Sequence, residues 1–187
     1  MIKAVITDFD GTLVDTFLAN CSAYSKAFAE CGLSMTIAEY QKNFGLRFDE
    51  FMDAMGIEDK TTRHKIKELK KDAYPNYFSL LKLNKSLMNI IMQFKKSDIK
   101  VAIASTARRE NLMAVLDFLG LTDMFDLILT GESVKNGKPD PEIYILTMEQ
   151  LGVTPEETLV FEDSEVGLKA AEDSGAKYIK VTKNWFE

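Results

Sequence analysis

Apolar positions along this chain follow two rhythms. Five short runs rich in β-branched residues read as buried strands: KAVIT at 3–7, KVAIAS at 100–105, DLILT at 126–130, TLVFED at 158–163 and AKYIKVT at 176–182. Between them, apolar residues recur at helical spacing. Asn84 is a predicted N-cap for a helix with an apolar stripe at Leu87, Ile90, Ile91 and Phe94. Further helices are predicted over 108–119, stopped by Gly120, from Pro141 as first residue to about Leu151, and over 165–174, stopped by Gly175. Strands alternating with helices place the chain in the α/β class, with a doubly wound parallel sheet covered on both faces.

The rhythm breaks once. Residues 8–99 separate the first two strands, too long for an ordinary crossover. Within 16–83 the pattern is helical and charged, with no strand signal. Thr16 is a predicted N-cap for a helix to about Glu30, stopped by CGLS, and Cys21 and Cys31 both fall on it. Helices over 36–43, 47–55 and 59–82 follow, the last divided by Pro75. The expectation is a core of residues 1–15 and 84–187 with a small α-helical cap domain, 16–83, inserted after the first strand. That insertion point is beside the carboxyl ends of the strands, where open α/β sheets bind ligands.

Composition narrows the function. The 187 residues are 46% hydrophobic and 28% charged, with a net charge of −6, which disfavours a nucleic-acid partner. No apolar run approaches the roughly 18 residues of a membrane span, and the opening MIKAVITD lacks a signal-peptide pattern. Two cysteines suggest buried thiols rather than a disulfide framework or zinc site. The single histidine, His64, lies in the charged stretch DKTTRHKIKELKKD and reads as a surface residue, so histidine-based catalysis is disfavoured. The expectation is a reduced, cytoplasmic protein, monomeric with a dimer left open; a small phosphorylated metabolite stays open as a partner, because a few local cations or a bound metal can reverse the sign of one pocket.

A parallel sheet delivers the last residues of every strand to one edge. The first strand brings Asp8 and Asp10, the second Ser105 and Thr106, the segment after the third Lys138, and the fourth Glu162 and Asp163. Four carboxylates at one edge call for a divalent cation, and oxygen-only ligands favour Mg²⁺. The same groups suit phosphoryl transfer. Lys138, Ser105, the cation and loop amides after Asp8 can surround phosphate oxygens, and Gly11 lets that loop approach closely. One carboxylate can attack phosphorus while the second Asp moves the proton. Each feature alone has an ordinary structural reading, as a turn, a helix cap or a solvated charge; their order, each after its own strand, is what carries weight.

In these segments the chain resembles the haloacid dehalogenase superfamily of phosphotransferases over essentially its whole length. DFDGTLVDT resembles its first motif, IAST the second, the lysine of GKPDPEIY the third, and VFEDSEVGLKAAEDSGA the fourth. The resemblance implies a Rossmann-like core with a helical cap of the kind found in β-phosphoglucomutase and phosphoglycolate phosphatase relatives. It implies Asp8 as nucleophile, Asp10 as acid/base, and Ser105 and Lys138 as holders of the phosphate. Asp163 and Glu162 would bind Mg²⁺ with Asp8 and the backbone carbonyl of Asp10. Gly11 and Thr106 would line the substrate site.

Asp10 at the acid/base position disfavours dehalogenating and phosphonate-cleaving members. The cap segment FGLRFDEF resembles the mutase-like pattern and makes Gly45 and Arg47 substrate-binding candidates, with a solvated helix-end charge as the other reading of Arg47. Asn20 stands where β-phosphoglucomutases carry histidine, and LKLNKS replaces the usual proline-glycine turn. The expected activity is therefore a Mg²⁺-dependent phosphatase of a sugar or polyol phosphate. A phosphomutase is the alternative. A receiver-like signalling protein or a non-enzymatic phosphate-binding protein is more distant, because neither calls for the long insertion and Asp10 together.

Overall fold

The structure is a computed structural model describing residues 1–187. It divides into two compact units, residues 1–15 with 82–187, and residues 16–81.

The first unit is built on a five-stranded parallel sheet. Strand β1 is Ala4–Thr7, and β2, Val14–Asp15, follows it closely. After the second unit come β3 (Lys82–Leu83), β4 (Lys100–Ala104), β5 (Leu127–Leu129), β6 (Thr158–Glu162) and β7 (Lys177–Lys180). The order across the sheet is β5-β4-β1-β6-β7, so β1 is central and the winding reverses beside it. Ala4 of β1 lies level with Lys100 of β4 and Thr158 of β6, and Thr7 lies level with Ile103 and Phe161. One position further on, Asp8 just past β1 stands level with Ala104 and Glu162, the last residues of β4 and β6. An apolar strand buried on both faces can do this only because its polar residues wait until the sheet ends.

The helices of this unit are α5 (Lys85–Lys96), α6 (Arg109–Phe118), α7 (Glu142–Leu151) and α8 (Glu165–Asp173). Ile6, Ala102, Ala104 and Val160 from the sheet join Tyr144, Met148, Ala170 and Ala171 from α7 and α8 in one buried cluster. Pro141 stands immediately before α7 rather than within it. Asn84 caps α5 as expected, its side chain accepting from the Leu87 amide at 3.0 Å.

The second unit holds α1 (Phe17–Glu30), α2 (Ile37–Lys42), α3 (Phe48–Ala54) and α4 (Lys60–Ala73), then a 3-10 helix over Tyr74–Leu80. Its core is aromatic. Tyr24 and Tyr40 meet the Phe51 ring edge-on, with centroids 4.9 and 5.7 Å apart, around Phe28, Met52 and Ile66. His64 is exposed on α4. No helix of the chain is long and apolar enough to cross a membrane.

Pro75 divides the segment predicted over 59–82: the α-helix ends at Ala73, because Pro75 has no amide hydrogen to continue the ladder, and the chain tightens into a 3-10 turn. Three local expectations are corrected. Lys82 and Leu83 are a strand, not helix, and pair antiparallel with Asp15 and Val14. Two-residue strands carry too little periodicity to be seen in the sequence. Thr16 precedes α1 but its side chain does not cap it: its ψ is 0° rather than extended, so the hydroxyl is not aimed at the first free amides. Cys31 lies just past α1 and is half-buried, while Cys21 is buried within it.

Ile6 is fully buried at the centre of the sheet cluster. Ile6→Ala is expected to cost about 2–5 kcal/mol of unfolding free energy, read as a lower urea midpoint.

Candidate active site

The polar residues that end β1, β4 and β6 are gathered by one side chain. Lys138 Nζ donates to Asp8 Oδ1 at 2.7 Å, to the Ala104 carbonyl at 3.1 Å and to Glu162 Oε2 at 3.3 Å. An ammonium has three protons, and here each has an acceptor from a different strand. The Lys138 side chain is only 4% exposed. Its ammonium also sits 4.8 Å from the centroid of the Tyr144 ring.

Asp8 and Glu162 are buried, Asp163 is half-buried, and an oxygen from each lies within 4.8 Å of the others. Thr12 Oγ1 donates to Asp163 Oδ1 at 2.7 Å. Glu162 Oε1 accepts from Ser164 Oγ at 2.9 Å, and its Oε2 accepts from the Tyr144 hydroxyl at 3.3 Å. Two glycines make room for these carboxylates. Gly11 has φ +90° and lies so close to Asp163 that a methyl group would overlap that carboxylate. A methyl on Gly167, in the first turn of α8, would likewise overlap Glu162.

Three carboxyl groups around one ammonium leave the cluster rich in negative charge. Burial, and then the field of Glu162, push the Asp8 carboxyl well above its usual range despite Lys138. Burial also raises Asp163, from 3.8 to about 6. On Lys138 burial opposes the charge, but the fields of Asp8, Tyr144 and Glu162 outweigh it and hold the ammonium above its ordinary value. Only a proton or a cation relieves such a cluster. An all-oxygen donor set is the kind that hard divalent cations take.

The other sequence candidates are distributed around this centre. Ser105 follows β4 and is buried; its Oγ accepts from the Ala107 amide at 3.1 Å, which leaves the hydroxyl proton to donate. Thr106 beside it is half-buried. Asp10 lies in the turn after β1, where its backbone bridges Val14, and its carboxyl is outside the three-acid cluster. Gly45, with φ +92°, and Arg47, which precedes α3, belong to the second unit.

Comparison with known proteins agrees with this arrangement. The family model of haloacid dehalogenase-like hydrolases matches residues 5–181. The chain belongs to this family. It is 35% identical over 182 residues to the phosphorylated carbohydrates phosphatase of Thermotoga maritima, covering 95% of this chain and 84% of that protein. It is 27% identical to the β-phosphoglucomutase of Bacillus subtilis, covering 93% and 80%. Among solved structures, CbbY from Rhodobacter sphaeroides in complex with phosphate superposes with a TM-score of 0.89 at 26% identity, covering 100% of this chain and 89% of that one.

Several residues of this hydrolase's site lie inside the motif segments without standing out there as site residues. Thr12, Tyr144, Ser164 and Gly167 resemble any threonine, aromatic, helix cap or helical glycine until the fold sets them beside a carboxylate. Only Ser164 had a partial clue, as the residue before a predicted helix.

The raised Asp163 pKa has a definite sign in stability. Below pH 3.8 the group is protonated whether folded or not; between 3.8 and about 6 the unfolded chain ionises first, so stability falls as pH rises. Without divalent cations, Asp163→Asn is expected to gain melting temperature over the wild type as pH is raised from 4 to 7. A difference that does not change with pH would contradict the assignment.

Proposed function

We propose that this hydrolase is a Mg²⁺-dependent phosphatase of small phosphorylated metabolites, of the sugar or polyol phosphate class, working through an aspartyl phosphate on Asp8. The observation that carries the reading is Lys138 Nζ at 2.7 Å from Asp8 Oδ1 inside the three-acid cluster. That contact orients one carboxylate oxygen while leaving the other available as nucleophile. Its relationship to a Thermotoga protein named for phosphorylated carbohydrates supports the substrate class.

Asp8, Glu162 and Asp163 would hold the ion together with the Asp10 carbonyl. Bound there, Mg²⁺ supplies positive charge that keeps Asp8 ionised and draws electron density from the phosphate oxygens. The chain's own residues do the rest. A free oxygen of Asp8 attacks phosphorus and the bond to the leaving alkoxide breaks, with Asp10 donating its proton to that oxygen. Asp10, now a carboxylate, takes a proton from water, whose oxygen attacks phosphorus and releases Asp8. Ser105 and the loop amides after Asp8 donate to phosphate oxygens, and Thr106 borders that position. Lys138 already has three protein acceptors; to bind phosphate directly it exchanges one, and the 3.3 Å contact to Glu162 is the longest. Gly45 and Arg47 are proposed to contact the substrate beyond its phosphate, so Arg47→Ala should raise KM more than it lowers kcat.

The test is a panel of metabolite phosphates with Mg²⁺, repeated after chelation. Sugar phosphates should release phosphate, and chelation should stop it. Asp8→Asn should lower turnover to less than about 1% of wild type; greater residual activity defeats the assignment. Incubating β-glucose 1-phosphate with a bisphosphate primer separates the mutase alternative, which would yield glucose 6-phosphate instead of free phosphate. Asp10→Asn should slow hydrolysis of alkyl phosphates by about 10²–10⁴, and that of an activated aryl phosphate far less. Equal losses on both would remove Asp10 from proton transfer.

A further inference from the structure

We propose that Asn84 is a positioning residue for Asp163, acting through Thr12. The inference rests on the reading of Asp163 as a metal-binding acid. Asn84 and Thr12 are both completely buried, 72 residues apart in sequence. Asn84 engages the Asp8 loop with two donors: its backbone amide donates to the Leu13 carbonyl at 2.9 Å, and Nδ2 donates to the Thr12 carbonyl at 3.0 Å. Its Oδ1 meanwhile caps α5 through the Leu87 amide at 3.0 Å. The amide orientation follows from these partners, since the Leu87 N–H requires an acceptor and the Thr12 carbonyl a donor.

Thr12 is thereby held from one side while its hydroxyl works on the other. Oγ1 donates to Asp163 Oδ1 at 2.7 Å, across 151 residues of sequence. Fixing the Thr12 backbone fixes the direction of that hydroxyl, and hence which Asp163 oxygen is left for a cation. Residue choice supports a role beyond capping. Ser, Thr and Asp cap helices as well as Asn does. Aspartate has no proton for the Thr12 carbonyl, and the short serine hydroxyl cannot reach both partners. Only the amide accepts at one end and donates at the other. The paired strands β2 and β3 bring Asn84 to this place, because Leu83, paired with Val14, immediately precedes it.

Groups that orient metal ligands typically change affinity by about 10–100-fold when removed. The test compares wild type, Asn84→Ser, Thr12→Val and the double variant. Binding is read as the Mg²⁺ concentration giving half the metal-induced rise in melting temperature, and separately as the Mg²⁺ midpoint of turnover. Asn84→Ser keeps the cap, so the protein should fold, and its Mg²⁺ midpoints should rise about tenfold. Because both residues act along one line, Asn84→Ser should add little in the Thr12→Val background.

A variant with a lower melting temperature but an unchanged Mg²⁺ midpoint has lost only stability, and overturns the proposal. So does a double variant in which the two losses multiply. A wild type indifferent to Mg²⁺ in both measurements defeats the metal reading itself, and this inference with it. A wild type that responds, beside an unaffected Asn84→Ser, defeats this inference alone.

Discussion

One buried ammonium ties together three neighbouring strands. Lys138 spends its three protons on Asp8, the Ala104 carbonyl and Glu162, each just at or past the end of its own strand. Such bridging is possible only because β4, β1 and β6 run parallel and in register, so that their ends stop at one level. Removing one partner of a buried charge pair leaves the other uncompensated, which is far more costly than the net worth of the pair. The sheet and the site therefore depend on the same contact, and neither half of it is a surface decoration.

The same contact leaves the cluster unbalanced. One ammonium does not neutralise Asp8, Glu162 and Asp163, and burial amplifies the repulsion among them. A folded chain tolerates this because donors surround the acids: Thr12 on Asp163, and Ser164 and Tyr144 on Glu162. Gly11 and Gly167 add space where any side chain would collide with a carboxylate. Negative charge concentrated in this way is what a divalent cation would neutralise, as the proposed function requires.

Residues 16–81 are organised differently. Their stability comes from an aromatic cluster among four helices, centred on Tyr24, Tyr40 and Phe51, with no share in the parallel sheet. The chain leaves the first unit after β2 and returns at β3, and these two strands pair with each other. An insertion whose two ends are joined in this way can vary internally without disturbing the strand register on which Lys138 depends.

Much of this was legible from the residue pattern. Five buried strands, the helices between them, the long helical insertion and the delivery of Asp8, Ser105, Lys138, Glu162 and Asp163 to one edge follow from periodicity and the geometry of parallel sheets. The short strands β2 and β3 were not legible, since two residues show no alternation, and neither was the 3-10 turn beyond Ala73. Local patterns along the chain determine which elements form and which residues end them. That Thr12 faces Asp163 is decided by contacts across 72 to 151 residues, Asn84 with Thr12 and Thr12 with Asp163, and those exist only once the sheet has closed.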